Sequence, residues 1–256
     1  MSAQEQTADA AFFLPVVAAW TTVLLGLELA RRLRPHVWPA PASRGERPWL
    51  DVGVALFVAA AILALGQLWH RGMLQWHWPG AWQHLAFVLA QLVIWSPLFV
   101  ALLVRRQPLA TAWTGTTHLP TRLGTGALLG TLAVTIYLAA RGDLQRWPAI
   151  AARATTWRAI AHGVPVWHEG VGLAFLFVRL QWAMGRFLAV LVPGLLFAVA
   201  HVPRAIADHE TLPTMLAFFV FNTAFVAVLL AALTRYRDVV ALGVAHWLFD
   251  LAIAAF

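Results

Sequence analysis

Among the ionisable side chains inside, or at the ends of, apolar runs are His168, Glu169, His201, His246 and Asp250. Charged groups are costly in such surroundings and commonly mark function. As types they form an acid–base set. A carboxylate beside imidazoles can take a proton from a water molecule, and nearby donors can stabilise the oxyanion that its attack creates. Two local spacings suit a built site. Phe197 and His201 are four apart, so the phenyl ring can pack beside the imidazole on one helix face. His246 and Asp250 are also four apart, so the carboxyl can orient the ring. Each residue taken singly has a plainer role: His201 as an interfacial histidine, His246–Asp250 as a pair holding helices together, Glu169 as a dipole partner at a helix start. Only the joint arrangement points to chemistry. His168-Glu169 opens like HExxH, but Gly172 occupies the second histidine's place, so that zinc motif fails.

The elements that must position these residues are membrane helices. Of 256 residues, 61% are hydrophobic and 11% charged, against about 25% charged in soluble domains. The apolar residues come in blocks of roughly 20, enough to cross about 30 Å of hydrocarbon as helix. A β-barrel would instead show short alternating segments. The pattern predicts an all-α polytopic integral membrane bundle with about eight transmembrane helices, near 11–31, 50–69, 83–104, 123–140, 164–184, 186–202, 212–233 and 238–256. Residues 142–163 are too polar to span. Arg146, Arg153 and Arg158 alternate there with Trp147, Ile150 and Trp157, which predicts an amphipathic helix on the membrane surface. The chain thus divides into N-terminal membrane helices with this interfacial segment, 1–163, and a core carrying the unusual residues, 164–256. The acidic N-terminus, MSAQEQTADA, lacks the basic region of a signal peptide, so no cleavage is expected.

No cysteine is present, which removes disulfides and thiolate chemistry. The formal charge of +7 rests wholly on arginines lying between the apolar blocks. No basic stripe lies on a soluble face, so nucleic acid is not an expected partner; membrane lipid is. With the N-terminus outside, the inner loops hold twelve arginines: Arg31, Arg32, Arg34, Arg44, Arg47, Arg105, Arg106, Arg122, Arg179, Arg186, Arg235 and Arg237. The other six fall outside, a bias that places both termini outside. Arg179 and Arg186 read as helix-end anchors. Within this frame Glu169 is about five residues into the fifth span, His201 closes the sixth, and Asp250 lies about 18 Å into the eighth from the opposite side. Three helices then carry carboxylates and imidazoles to one depth. A transporter would more often show two similar halves with broken helices, and none is seen.

The order of three short motifs, HEGVGL (168–173), LLFAVAH (195–201) and AHWLFD (245–250), resembles the CPBP intramembrane proteases, also called the CAAX protease or Abi family. That family carries EExxxR, FxxxH and HxxxN, sometimes with Asp in the last place. The resemblance covers about residues 165–256 and includes Gly185 between two helices. His201 matches the second motif's histidine, His246 and Asp250 the third motif, and Glu169 the second glutamate of the first. His168 stands where the family has its first glutamate, and Leu173 where it has arginine.

The resemblance implies endopeptidase chemistry within the membrane on a peptide or membrane-protein substrate. Glutamate acts as general base on water, and the histidines with Asn/Asp position the water and stabilise the oxyanion. Peptide leader processing, prenyl-protein processing and bacteriocin self-immunity are family themes. A multi-pass location, in the bacterial inner membrane, is expected. Three readings stay open for the altered first motif. Glu169 does the work, or His168 serves as base, with no cofactor. Alternatively His168, His201 and His246 hold a zinc ion with Glu169 as base. In the third reading the chain is a pseudoprotease, scaffold or immunity protein that binds peptides or membrane partners without cutting.

Overall fold

A computed structural model describes residues 10–39, 45–207 and 209–253. The acidic N-terminal stretch, Arg44 and the last three residues of the final expected span lie outside them. Among the described residues every regular element is helical. They are α1 (Ala10–Leu33), α2 (Pro48–His70), α3 (Trp82–Val104), α4 (Leu119–Ala140), the short α5 (Trp147–Ala154), α6 and α7 as the two arms of Trp157–Ala207, α8 (Leu212–Tyr236) and α9 (Val239–Ile253). Six stretches of the described residues are long and apolar enough to cross a membrane. One of these, Trp157–Pro203, has 47 residues, twice the length required. Gly185 divides it, with φ 78° and ψ 175°, a conformation open essentially to glycine alone. The two arms, 157–184 and 186–207, are thereby separate segments. With the shorter apolar α9, they account for the eight segments read from the sequence.

The interfacial helix expected over 142–163 is replaced by two elements. Only Trp147–Ala154 forms a separate short helix. The Thr156 hydroxyl accepts from the Ala159 N–H (3.3 Å) and so caps a new helix, which starts at Trp157 and runs straight into the membrane segment. α5 is tied to the bundle. Ile150 is buried, the Trp147 indole donates to the Thr135 hydroxyl, and Arg153 donates to the Leu251 carbonyl of α9.

Lipid supplies no hydrophobic drive between helices, so close approach of small residues matters. α9 lies against α4 in this way. A Cβ on Gly130 would stand 2.9 Å from the Ala245 Cα, and one on Gly126 would strike the Ala241 carbonyl. At the end of the bundle holding the α1–α2, α3–α4 and α8–α9 connections, buried arginines act as ties. Arg122 grips Asp238 through Nε (3.0 Å) and a second nitrogen, and also donates to the Gly115 and Thr117 carbonyls. The same aspartate accepts from the Val240 N–H at the start of α9 (2.8 Å). Arg179 is likewise buried and donates to Gln107 Oε1, the Thr111 hydroxyl and the Thr111 carbonyl, with Phe175 under its guanidinium at 3.9 Å. Gln107 in turn donates to Asp51, which also pairs with Arg105. Arg179 is therefore no helix-end anchor. Its donors are consumed by the 107–111 loop, which would otherwise carry unsatisfied carbonyls into the bundle. Arg186 does sit at a helix end, donating to the Ala231 carbonyl and the Thr234 hydroxyl.

Candidate active site

The hairpin made by Gly185 sets the geometry. Glu169 and His201 are each sixteen residues from it, one on each arm. Antiparallel arms bring equal distances from a turn to equal depth, and both side chains line one cavity of about 210 Å³. Its walls are otherwise almost wholly apolar and come from α2, α3, α6 and α7. Leu63, Ile94, Trp95, Leu98 and Leu173 are among them, with Gln67 and Gln91 as the uncharged polar exceptions. Two prolines inside the helices, Pro165 and Pro193, also face it. Each lacks an N–H, which frees the carbonyl one turn earlier. Gly172 lets α3 approach here, since a Cβ would meet the Trp95 ring at 2.5 Å.

His201 is fixed by its own helix. Its Nδ1 lies 2.8 Å from the Phe197 carbonyl and its ring 4.5 Å from the Phe197 ring. A carbonyl only accepts, so Nδ1 carries the proton, and Nε2 is the acceptor in the neutral ring. The four-residue spacing thus ties both the side chain and the backbone of Phe197 to the imidazole.

α9 supplies the remaining pair. His246 Nε2 lies 3.4 Å from Asp250 Oδ1. The other carboxylate oxygen lies 3.4 Å from Nε2 of His162, on the first turns of α6. Asp250 is therefore held between two imidazoles. His162 stands seven residues before Glu169, two turns along the same face. Glu169 lies within electrostatic reach of His246, His201, Asp250 and His162. His162 was missed from the sequence because its segment read as a surface helix. The i, i+7 spacing to Glu169 was the available signal. Trp20 of α1 packs edge-on against the His246 ring at 5.4 Å, so the N-terminal half also shapes this cluster.

Glu169 and His201 share the cavity; His246 and Asp250 do not line it but lie within electrostatic reach of Glu169, and His168 does neither. Its ring, 2% exposed, stacks on Trp95 (5.7 Å, 18°) and packs against Phe99 and Trp167. Its Nδ1 is buried without a hydrogen-bond partner, and it does not line the cavity. The physical reason is helical phase: one residue is a rotation of about 100°, which turns His168 toward α3 when Glu169 faces the cavity. The assignment of His168 as base, or as the first of three zinc ligands with His201 and His246, does not match this packing. Among the described residues, no three His, Cys, Asp or Glu side chains form a set able to hold a metal ion.

Residues 150–252 match the family described as type II CAAX prenyl endopeptidase, Rce1-like. This is the CPBP/CAAX protease family that the three motifs resemble, and the matched region contains every residue of the cluster, including His162. No curated protein and no solved structure matches the chain.

Proposed function

We propose that the chain is an intramembrane endopeptidase of the CAAX/CPBP type and that Glu169 is its general base. The observation that carries this reading is the convergence of Glu169 and His201 on one apolar-walled cavity, with the His246–Asp250–His162 triplet in electrostatic reach. In the reaction, a water held between the Glu169 carboxylate and His201 Nε2 gives a proton to Glu169. Its oxygen attacks the scissile carbonyl carbon, and the carbonyl π pair moves onto oxygen. His246, paired with Asp250, donates to that oxyanion. As the C–N bond breaks, the proton held by Glu169 passes to the leaving nitrogen. Peptide and water thus become a carboxylic acid and an amine. Asp250 accepts from imidazoles on both sides, so it orients His246 and is not itself the oxyanion donor. The cavity's apolar lining suits a substrate with an apolar chain beside the cleavage site, the chemistry of a prenylated or membrane-embedded peptide.

A second reading keeps the fold and removes the reaction. Leu173 lines the cavity where the family has arginine, and His168 is packed into an aromatic box where the family has its first glutamate. A chain so altered would bind peptides or membrane partners without cutting them. Both readings are tested on membrane-inserted protein with a panel of prenylated and unmodified peptides, read by mass spectrometry. Glu169→Gln, His201→Ala and His246→Ala are each expected to lower cleavage by about 100-fold or more. The combined variant should be little worse than the singles, as for residues acting as a unit. Cleavage that persists in all three folded single variants would remove this mechanism. Peptide binding without cleavage in the unaltered protein would establish the second reading.

A further inference from the structure

Away from the cavity, at the end of the bundle holding the buried arginines, the structure carries a second concave site. The end of α1, the α6–α7 turn and the end of α8 surround an open polar groove of about 470 Å³, lined by Arg31, Gln181, Arg186, Thr234, Arg235 and Arg237. Among the described residues no carboxylate lines it. Arg31 is paired with Glu28. Arg186 donates to the Ala231 carbonyl and the Thr234 hydroxyl, so its charge has no counter-ion there. Three guanidinium charges uncompensated by a lining carboxylate, with an amide and a hydroxyl, define a site for a multiply oxygenated anion.

All these elements end or turn at the same end of membrane-crossing helices, the level at which phosphate headgroups lie. Apolar surface adjoins the groove. Phe187, next to Arg186, is 75% exposed, and Val228, two turns along the Arg235 face of α8, is 61% exposed. A free phosphate would use the arginines alone, whereas a phospholipid would use the arginines and lay its chains along this apolar surface. We infer that this groove, clasping the α6–α7 hairpin and the end of α8, is a binding site for the headgroup of an anionic phospholipid.

The test uses the full chain in a neutral maltoside detergent, with thermal unfolding followed by tryptophan fluorescence. Solubilised dioleoyl phosphatidylglycerol is expected to raise Tm saturably, while dioleoyl phosphatidylcholine and inorganic phosphate leave it unchanged. Each arginine near a membrane surface is worth about fivefold in affinity for anionic lipid, so Arg235→Gln/Arg237→Gln should shift half-saturation by about 30-fold. Arg71→Gln, outside the groove, should bind as the unaltered protein does. An unshifted response in the double variant, or an equal rise with phosphatidylcholine, overturns the assignment. An equal rise with phosphate alone makes the site a simple anion site and overturns the lipid reading. Native mass spectrometry of the unaltered protein, in equimolar phosphatidylglycerol and phosphatidylcholine, decides even where the double variant does not fold. A dominant one-to-one phosphatidylglycerol adduct supports the site, and equal adducts overturn it.

Discussion

The ring of His168 occupies an aromatic box made by Trp95, Phe99 and Trp167. A carboxylate put there would meet ring faces, which carry negative charge, and no donor. By motif alone, His168→Glu would restore a glutamate pair and keep or raise activity. By packing it should instead cost about 3 kcal/mol or more, the range for an uncompensated buried charge. The expected outcome is a lower Tm with no gain in cleavage, measured on the same detergent-solubilised preparation. A variant that melts as before and cleaves faster would show that position 168 can reach the cavity. The residues that could be read directly from the sequence were those whose partners are four apart on one helix. Phe197–His201 and His246–Asp250 both make the contacts their spacing suggests. His162 could not be read in this way, because its contact to Asp250 spans 88 residues and its helix start was hidden. The buried Arg122–Asp238 pair, 116 residues apart, was illegible for the same reason.

At the scale of the helix, Gly185 has the largest leverage. Its φ of 78° and ψ of 175° would cost about 1–3 kcal/mol for any residue bearing a Cβ. Open space surrounds it, so a methyl group there meets nothing. Gly185→Ala therefore isolates backbone strain from crowding. The variant is expected to lose Tm and to lose cleavage disproportionately, since sixteen residues of helix on each side amplify a small change in hairpin angle at Glu169 and His201. Unchanged stability and turnover would show that the hairpin is held by its neighbours and not by the turn. The sequence made this break visible as a glycine between two apolar runs. It made the start of α6 invisible, because Trp157, Arg158 and Ile160 alternate like an interfacial helix while a single threonine hydroxyl decides the boundary. The cavity wall was also beyond reach: α2 and α3 supply it with ordinary aliphatic and tryptophan side chains, which any membrane helix contains.

For the whole molecule, orientation has the greatest bearing on substrate. The twelve-to-six arginine split predicts both termini outside. Reporter fusions at residues 40, 112 and 235 are expected to report the cytoplasm, and finding all three outside would reverse the bundle. In the first orientation the cavity belongs to the half facing away from the cytoplasm; in the second it faces the compartment where proteins are prenylated. Two of the twelve arginines, Arg122 and Arg179, are wholly buried and bound within the protein. The Arg122–Asp238 tie also joins residues 116 apart in the chain. Arg122 emerges from the ribosome long before Asp238, and until α9 docks on α4 its guanidinium has no carboxylate to hold. The same docking delivers His246 and Asp250 to a hairpin that already bears Glu169 and His201. Because His246 and Asp250 lie in the last helix, the cluster is expected to stay incomplete until α9 docks on α4.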